Sequence, residues 1–187
     1  MKPVRTALIG CGKVGGLHAR ALTTRPESTL VAVCDSSSER AELFAARYGG
    51  RAFHDVGQMI RESGAEAVFV CTPHPLHAEP AVLAAQAGIH VMVEKPMAAN
   101  LSDCDAMLRA AQKSGVTLSV MSQRRFYEPV QRIKAKNTLF SSATNTSMNR
   151  SFGCRDGSTP TTFTGSVLFS SLMLPRLFQE KGRLQDP

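Results

Sequence analysis

Apolar positions along the first 121 residues come in two alternating textures. Short, nearly continuous apolar runs alternate with longer stretches in which apolar residues recur every three or four positions. A continuous run is the mark of a strand covered on both faces, and the spaced pattern marks one face of a helix. On this basis residues 6–10, 29–35, 51–54, 67–72, 90–93 and 116–121 are predicted strands. Residues 14–24, 38–48, 56–63, 76–87 and 102–114 are predicted helices, the last capped by Ser102 and ended by Gly115. Gly49-Gly50 and Gly88 stop the second and fourth helices, where glycine reaches positive φ most easily. Strands alternating with helices predict βαβ units and an α/β fold, a doubly wound parallel sheet.

This texture stops near residue 136. Residues 1–136 hold 21 alanines and the remaining 51 hold one, Ala143, while 15 of those 51 are Ser or Thr. No period persists there, so residues 137–187 are expected to be an atypical, poorly structured tail, with one short packed element at most near 167–174. The expected division is 1–123 as a nucleotide-binding domain, 124–136 as the start of a connection to a second domain, and 137–187 as the tail.

Charge and cysteine usage narrow the classes. The net charge is +7, but Lys and Arg are scattered along predicted helices and aromatics are few. A nucleic-acid binder gathers such charge into a patch, so no nucleic-acid partner is expected. No apolar run approaches the ~18 residues of a membrane span, and no leader pattern precedes the first strand. Five cysteines, odd in number and never in a Cys-x-x-Cys pair, argue against disulfides or zinc and fit a reducing cytoplasm.

The chemistry begins at Gly10-Cys11-Gly12-Lys13-Val14-Gly15, which fits Gly-x-Gly-x-x-Gly between a predicted strand and helix. Gly10 makes the tight turn, Gly12 admits a pyrophosphate close to backbone, and Gly15 lets helix and strand approach. Lys13 and Val14 belong to the same turn, and the helix start offers unpaired N–H groups to phosphate. Asp35 ends the next strand 20 residues after Gly15, where a carboxylate holds an adenosine ribose. That acid favours NAD. Ser36, Ser37 and Arg40 lie close enough to accept the extra phosphate of NADP.

Two further groups fall at predicted strand ends. They are Cys71-Thr72-Pro73-His74-Pro75-Leu76-His77 and Val93-Glu94-Lys95-Pro96. With GCGKVGGLHA at the start, CTPHPLHAEPAVLAAQAGIHVMVEKPMA in the middle and RRFYEPVQRIK at 124–134, the chain resembles the Gfo/Idh/MocA oxidoreductases, the glucose–fructose oxidoreductase and inositol dehydrogenase family. The resemblance covers residues 4–134. It implies a Rossmann domain, a nicotinamide cofactor and hydride exchange at a hydroxyl carbon of a small sugar or polyol. It further implies that Gly10, Gly12 and Gly15 hold the pyrophosphate and Asp35 the ribose. Thr72, Pro73 and His77 would line the middle of the cofactor, with Glu94 and Lys95 beside the nicotinamide. Lys95 is the expected catalytic residue, orienting or protonating the reacting hydroxyl. His74 stands where the family often has Asn, and His18 is expected to pack at the start of the first helix.

One part of the family pattern is missing. The family's second domain supplies an Asp-x-x-x-His pair for proton transfer, whereas all five histidines here (18, 54, 74, 77 and 90) precede residue 91. The abrupt step at 136 reads as a truncated or frame-shifted product. Three classes therefore compete: an oxidoreductase, expected as a homo-oligomer or with a partner chain; a cofactor-binding module without turnover, a remnant or a sensor; and a basic nucleic-acid binder, which the scattered charge disfavours.

Overall fold

The structure is a computed structural model and describes residues 2–133. The expected tail at 137–187, and the end of the connecting segment, lie outside the described residues. Six strands form one parallel sheet: β1 Val4–Ile9, β2 Ser28–Cys34, β3 Arg51–Phe53, β4 Ala67–Val70, β5 His90–Glu94 and β6 Leu118–Met121. Their order is β3-β2-β1-β4-β5-β6, the doubly wound arrangement whose strand order reverses beside β1. The crossovers carry α1 Lys13–Thr23, α2 Ser38–Tyr48, α3 Val56–Glu62, α4 Ala78–Gln86 and α5 Leu101–Ser114.

Alternation within the strands builds two cores. In β1, Ala7 and Ile9 join Met59, Ala81, Ala84, Ala85 and Met107 under α3, α4 and α5. Leu8, one position away and therefore on the other face, joins Ala19, Leu22, Val33 and Phe44 under α1 and α2. Leu8 is fully buried, worth roughly 1.5–3 kcal/mol. Alanine dominates the helix faces because it lets helices lie close on the sheet. That is why the predicted domain is so rich in it.

Several boundaries differ from those the sequence predicts. β1 begins at Val4 because its N–H donates to the Glu27 carbonyl, just before β2, and its register pairs it with Ser28 at the start of that strand. The predicted helix 76–87 is a 3-10 turn at His74–Leu76 followed by α4. Asn100, not Ser102, caps α5: its side chain accepts from the Asp103 N–H at 2.9 Å. Gly115 then ends α5 in the left-handed region at φ 67. β6 begins two residues later than predicted, because the Val116 N–H is held by the Ala111 carbonyl at the end of α5. No helix among the described residues is long and apolar enough to cross a membrane.

Candidate functional site

Because all six strands run parallel, the carboxyl ends of β1, β2, β4 and β5 meet at one edge. That edge brings together the glycine turn, Asp35, the 71–77 segment and Glu94-Lys95. A broader hollow lined by Val82, Gln86, Arg109 and Lys113 lies between the late turns of α4 and α5. None of its lining residues belongs to the glycine turn, the 71–77 segment or Glu94-Lys95.

The three glycines do different work. Gly10 sits at φ 99, and a Cβ there would fall 2.7 Å from the Cys71 carbonyl carbon. A Cβ on Gly15 would stand 2.1 Å from the Gly10 oxygen. Both glycines are required by packing of the protein against itself. Gly12 is exposed, and a Cβ there would meet nothing within 4 Å. Its lack of a side chain keeps open space above the first turn of α1, where no side chain caps the N-terminus and no acid occupies the first turn. The free N–H groups and dipole at that end favour an anion. Lys13 and Val14 are exposed on the same turn.

Asp35 ties this turn to the start of α2. Its Oδ2 accepts from the Cys11 N–H at 2.9 Å, and its Oδ1 accepts from the Ser37 N–H at 3.0 Å and Arg40 Nε at 3.1 Å. Arg40 is mostly exposed, so this ion pair holds its side chain only weakly. Ser37, Glu39, Arg40 and Leu43 line a small hollow beside it, and Ser36 is exposed at the end of β2. Burial, then the Asp35 and Cys34 charges, push the Cys11 thiol up to about 12. Cys11 lies under the turn as an inert wall.

The second half of the edge is bracketed around Lys95. Lys95 is exposed, but both its neighbours are anchored. Glu94 is buried. Its Oε1 accepts from Gln123 Nε2 at 2.9 Å and lies 2.7 Å from His18 Nε2, and its Oε2 accepts from the Lys95 N–H at 3.1 Å. Burial pushes the Glu94 carboxyl up, but the His18 bond and charge and the Lys95 N–H and charge outweigh it and hold it below the usual carboxylate range. On the other side, the Lys95-Pro96 bond is cis, and the Pro96 carbonyl lies 2.9 Å from His77 Nδ1. His77 Nε2 lies 2.8 Å from the Thr72 carbonyl. Thr72 Oγ1 donates to the Leu76 carbonyl at 3.0 Å, and Pro73 and His74 are exposed.

Two placements differ from the simple expectation. His18 lies a turn into α1 rather than at its start, on the buried stripe Gly15, His18, Ala19 and Leu22. Glu94 and His77 turn their polar atoms inward to protein partners, whereas Lys95, Pro73 and His74 are exposed. Gln123 was not expected at all. It follows β6, and only the position of β6 beside β5 brings it to Glu94.

Residues 4–122 match the model of an oxidoreductase family described as having an NAD-binding Rossmann fold. The chain belongs to the Gfo/Idh/MocA family. D-glucoside 3-dehydrogenase of Escherichia coli strain K12 is 36% identical over 138 residues, 73% of this chain and 39% of that protein. Myo-inositol 2-dehydrogenase of Thermotoga maritima is 31% identical over 132 residues, 70% of this chain and 40% of its own length. Among solved structures, the WlbA dehydrogenase of Bordetella pertussis in complex with NADH and UDP-GlcNAcA superposes with a TM-score of 0.72 at 33% identity. It covers 74% of this chain and 40% of that one. The chain thus spans about two-fifths of the length of these relatives.

Proposed function

We propose that this Gfo/Idh/MocA chain binds a nicotinamide dinucleotide along the carboxyl edge of its sheet, and that it acts as an NAD(P)-dependent oxidoreductase on a CH–OH group of a sugar or polyol. The observation that carries the first part is the contrast among the glycines. Gly10 and Gly15 are filled against by protein, whereas Gly12 faces open space at an uncapped helix start. Gly10, Gly12, Lys13, Val14 and Gly15 would hold the pyrophosphate by backbone N–H groups, and Asp35 the ribose. Ser36 and Arg40 stand at the position of a 2′-phosphate, and Thr72 and Pro73 flank the middle of the path. When bound, the nicotinamide supplies or accepts the hydride. The chain's own contribution is to bind and orient it and to present Lys95 Nζ, on a backbone fixed at residues 94 and 96, to the hydroxyl of the reacting carbon.

A second reading, binding without turnover, is favoured by one observation: among the described residues the two buried histidines of this edge, His18 and His77, are both held by protein oxygens and are not free to take the proton. Titration with NADH and NADPH, followed by nicotinamide fluorescence, tests binding. Saturation that is lost in Gly12→Val supports it, and no saturation with either cofactor overturns it. Incubation with NAD or NADP and a panel of myo-inositol, glucose and xylose, read as absorbance of the reduced cofactor, tests turnover. Activity lost in Lys95→Ala supports the oxidoreductase; binding with no activity on any substrate supports the second reading.

A further inference from the structure

His77 is 1% exposed, and both its ring nitrogens are spoken for by oxygens of the same kind. Nδ1 lies 2.9 Å from the Pro96 carbonyl, and Nε2 lies 2.8 Å from the Thr72 carbonyl. A backbone carbonyl can only accept. A neutral imidazole has one N–H and one bare lone pair, so either tautomer satisfies one carbonyl and sets the other lone pair to lone pair at hydrogen-bond distance. Flipping the ring sets Cδ2 and Cε1 against the two carbonyls and gives up both N···O contacts. Only the doubly protonated ring, with a donor on each nitrogen, satisfies both contacts. Its charge is then spread into two charge-assisted bonds.

We propose that His77 is a buried imidazolium that clamps the end of β4 to the Lys95-Pro96 turn, and is thereby a positioning residue for Lys95. The ring spans the two polypeptide segments that follow β4 and β5. One bond fixes the carbonyl of Thr72, two residues past the end of β4. The other fixes the carbonyl of Pro96, the residue after Lys95. Glu94 already fixes the Lys95 N–H from the other side, so His77 closes a two-sided hold on the one exposed cation of this turn. The charge assignment stands apart from dinucleotide binding; only the importance of placing Lys95 rests on the proposed oxidoreductase.

Long-range ¹H–¹⁵N spectra of the imidazoles in the ¹⁵N-labelled full chain at pH 7, without cofactor, test the charge. The expected result is that His77, identified by the signal missing in His77→Gln, has a proton on each ring nitrogen. An unprotonated, imine-type nitrogen on His77 overturns the proposal. Where His77→Gln does not fold, assignment by elimination with single variants of the other four histidines, His18, His54, His74 and His90, gives the same answer on the unaltered ring. Backbone amide spectra test the positioning. In His77→Gln the Lys95 and Met97 amide signals are expected to move while those of Gly49 and Gly50, at the end of α2, stay in place. Unmoved Lys95 and Met97 signals overturn the positioning role. Neither readout uses NADH, so a failure here is distinct from a failure to bind it.

Discussion

The imidazole of His18 and the carboxylate of Glu94, 76 residues apart in sequence, meet at 2.7 Å beneath the ligand edge. One lies on the helix that follows the glycine turn and the other ends β5, immediately before Lys95. The pair therefore joins the two halves of the site through the protein interior. Truncating one member of such a buried pair leaves the other without its partner.

Glu94→Gln is expected to destabilise the fold by about 1–3 kcal/mol at pH 7, the range for leaving buried hydrogen-bonding groups badly matched. The sign with pH follows from the lowered Glu94 carboxyl. A carboxyl held down in the fold contributes stability above its unfolded value, near ~4.3, and loses it as pH falls through the folded value. Urea unfolding of both proteins should show a gap that holds from pH 7 to about 5 and narrows only below ~4.3. A gap independent of pH would mean that the carboxylate charge contributes nothing.

The glycine turn separates fold from ligand. Gly15→Ala is expected to cost about 2 kcal/mol or more, because its Cβ would meet the Gly10 backbone at 2.1 Å, where nothing flexible can give way. Gly12→Val, though larger, should cost only about 1 kcal/mol, for the poorer helix cap. Its effect falls on NADH affinity, expected to drop at least about tenfold. Thermal melts and fluorescence titrations on the two variants should rank in opposite orders.

Arg40 holds Asp35 by a mostly exposed ion pair, so its guanidinium is available to a 2′-phosphate at little loss to the fold. Arg40→Ala is expected to weaken NADPH binding about tenfold more than NADH binding, a difference of about 1.4 kcal/mol. An unchanged ratio of the two affinities would place phosphate recognition elsewhere.

Burial pushes Cys34 up to about 11, with the Asp55 and Asp35 charges adding to it, and Cys71 is raised by burial and by Glu94. With Cys11 at about 12, roughly one Cys11 in 10⁴ is thiolate at pH 8, and the thiolate is the reactive form. Iodoacetamide followed by peptide mass mapping should label half-buried Cys104 well before Cys11, Cys34 and Cys71. Equal labelling in the native protein would contradict the packing under the turn.

The parts of this molecule written in neighbouring residues were legible from sequence. Gly10 to Gly15 declares a strand, a turn and a helix within a few positions, because each glycine answers a local steric demand. The cap of α5 was misplaced for the same local reason: Asn100 and Ser102 are both good caps, and only the contact from Asn100 to the Asp103 N–H separates them. What the sequence could not give was direction. Glu94, His77 and His18 stood out as polar residues near an edge, yet whether each points to solvent or to protein depends on strand order. Gln123 reaches Glu94 across 29 positions because β6 lies beside β5, and no local pattern encodes that.

The sheet ends on β6, which among the described residues is paired only with β5 and leaves Val120 38% exposed. A strand with an open outer row of N–H and C=O groups is a template on which another chain can grow. Of the two edge strands, β3 spans three residues and β6 four, so pairing with another chain would be favoured along β6. A lysine in place of Val120 would blunt that edge and raise the concentration at which the protein stays dispersed.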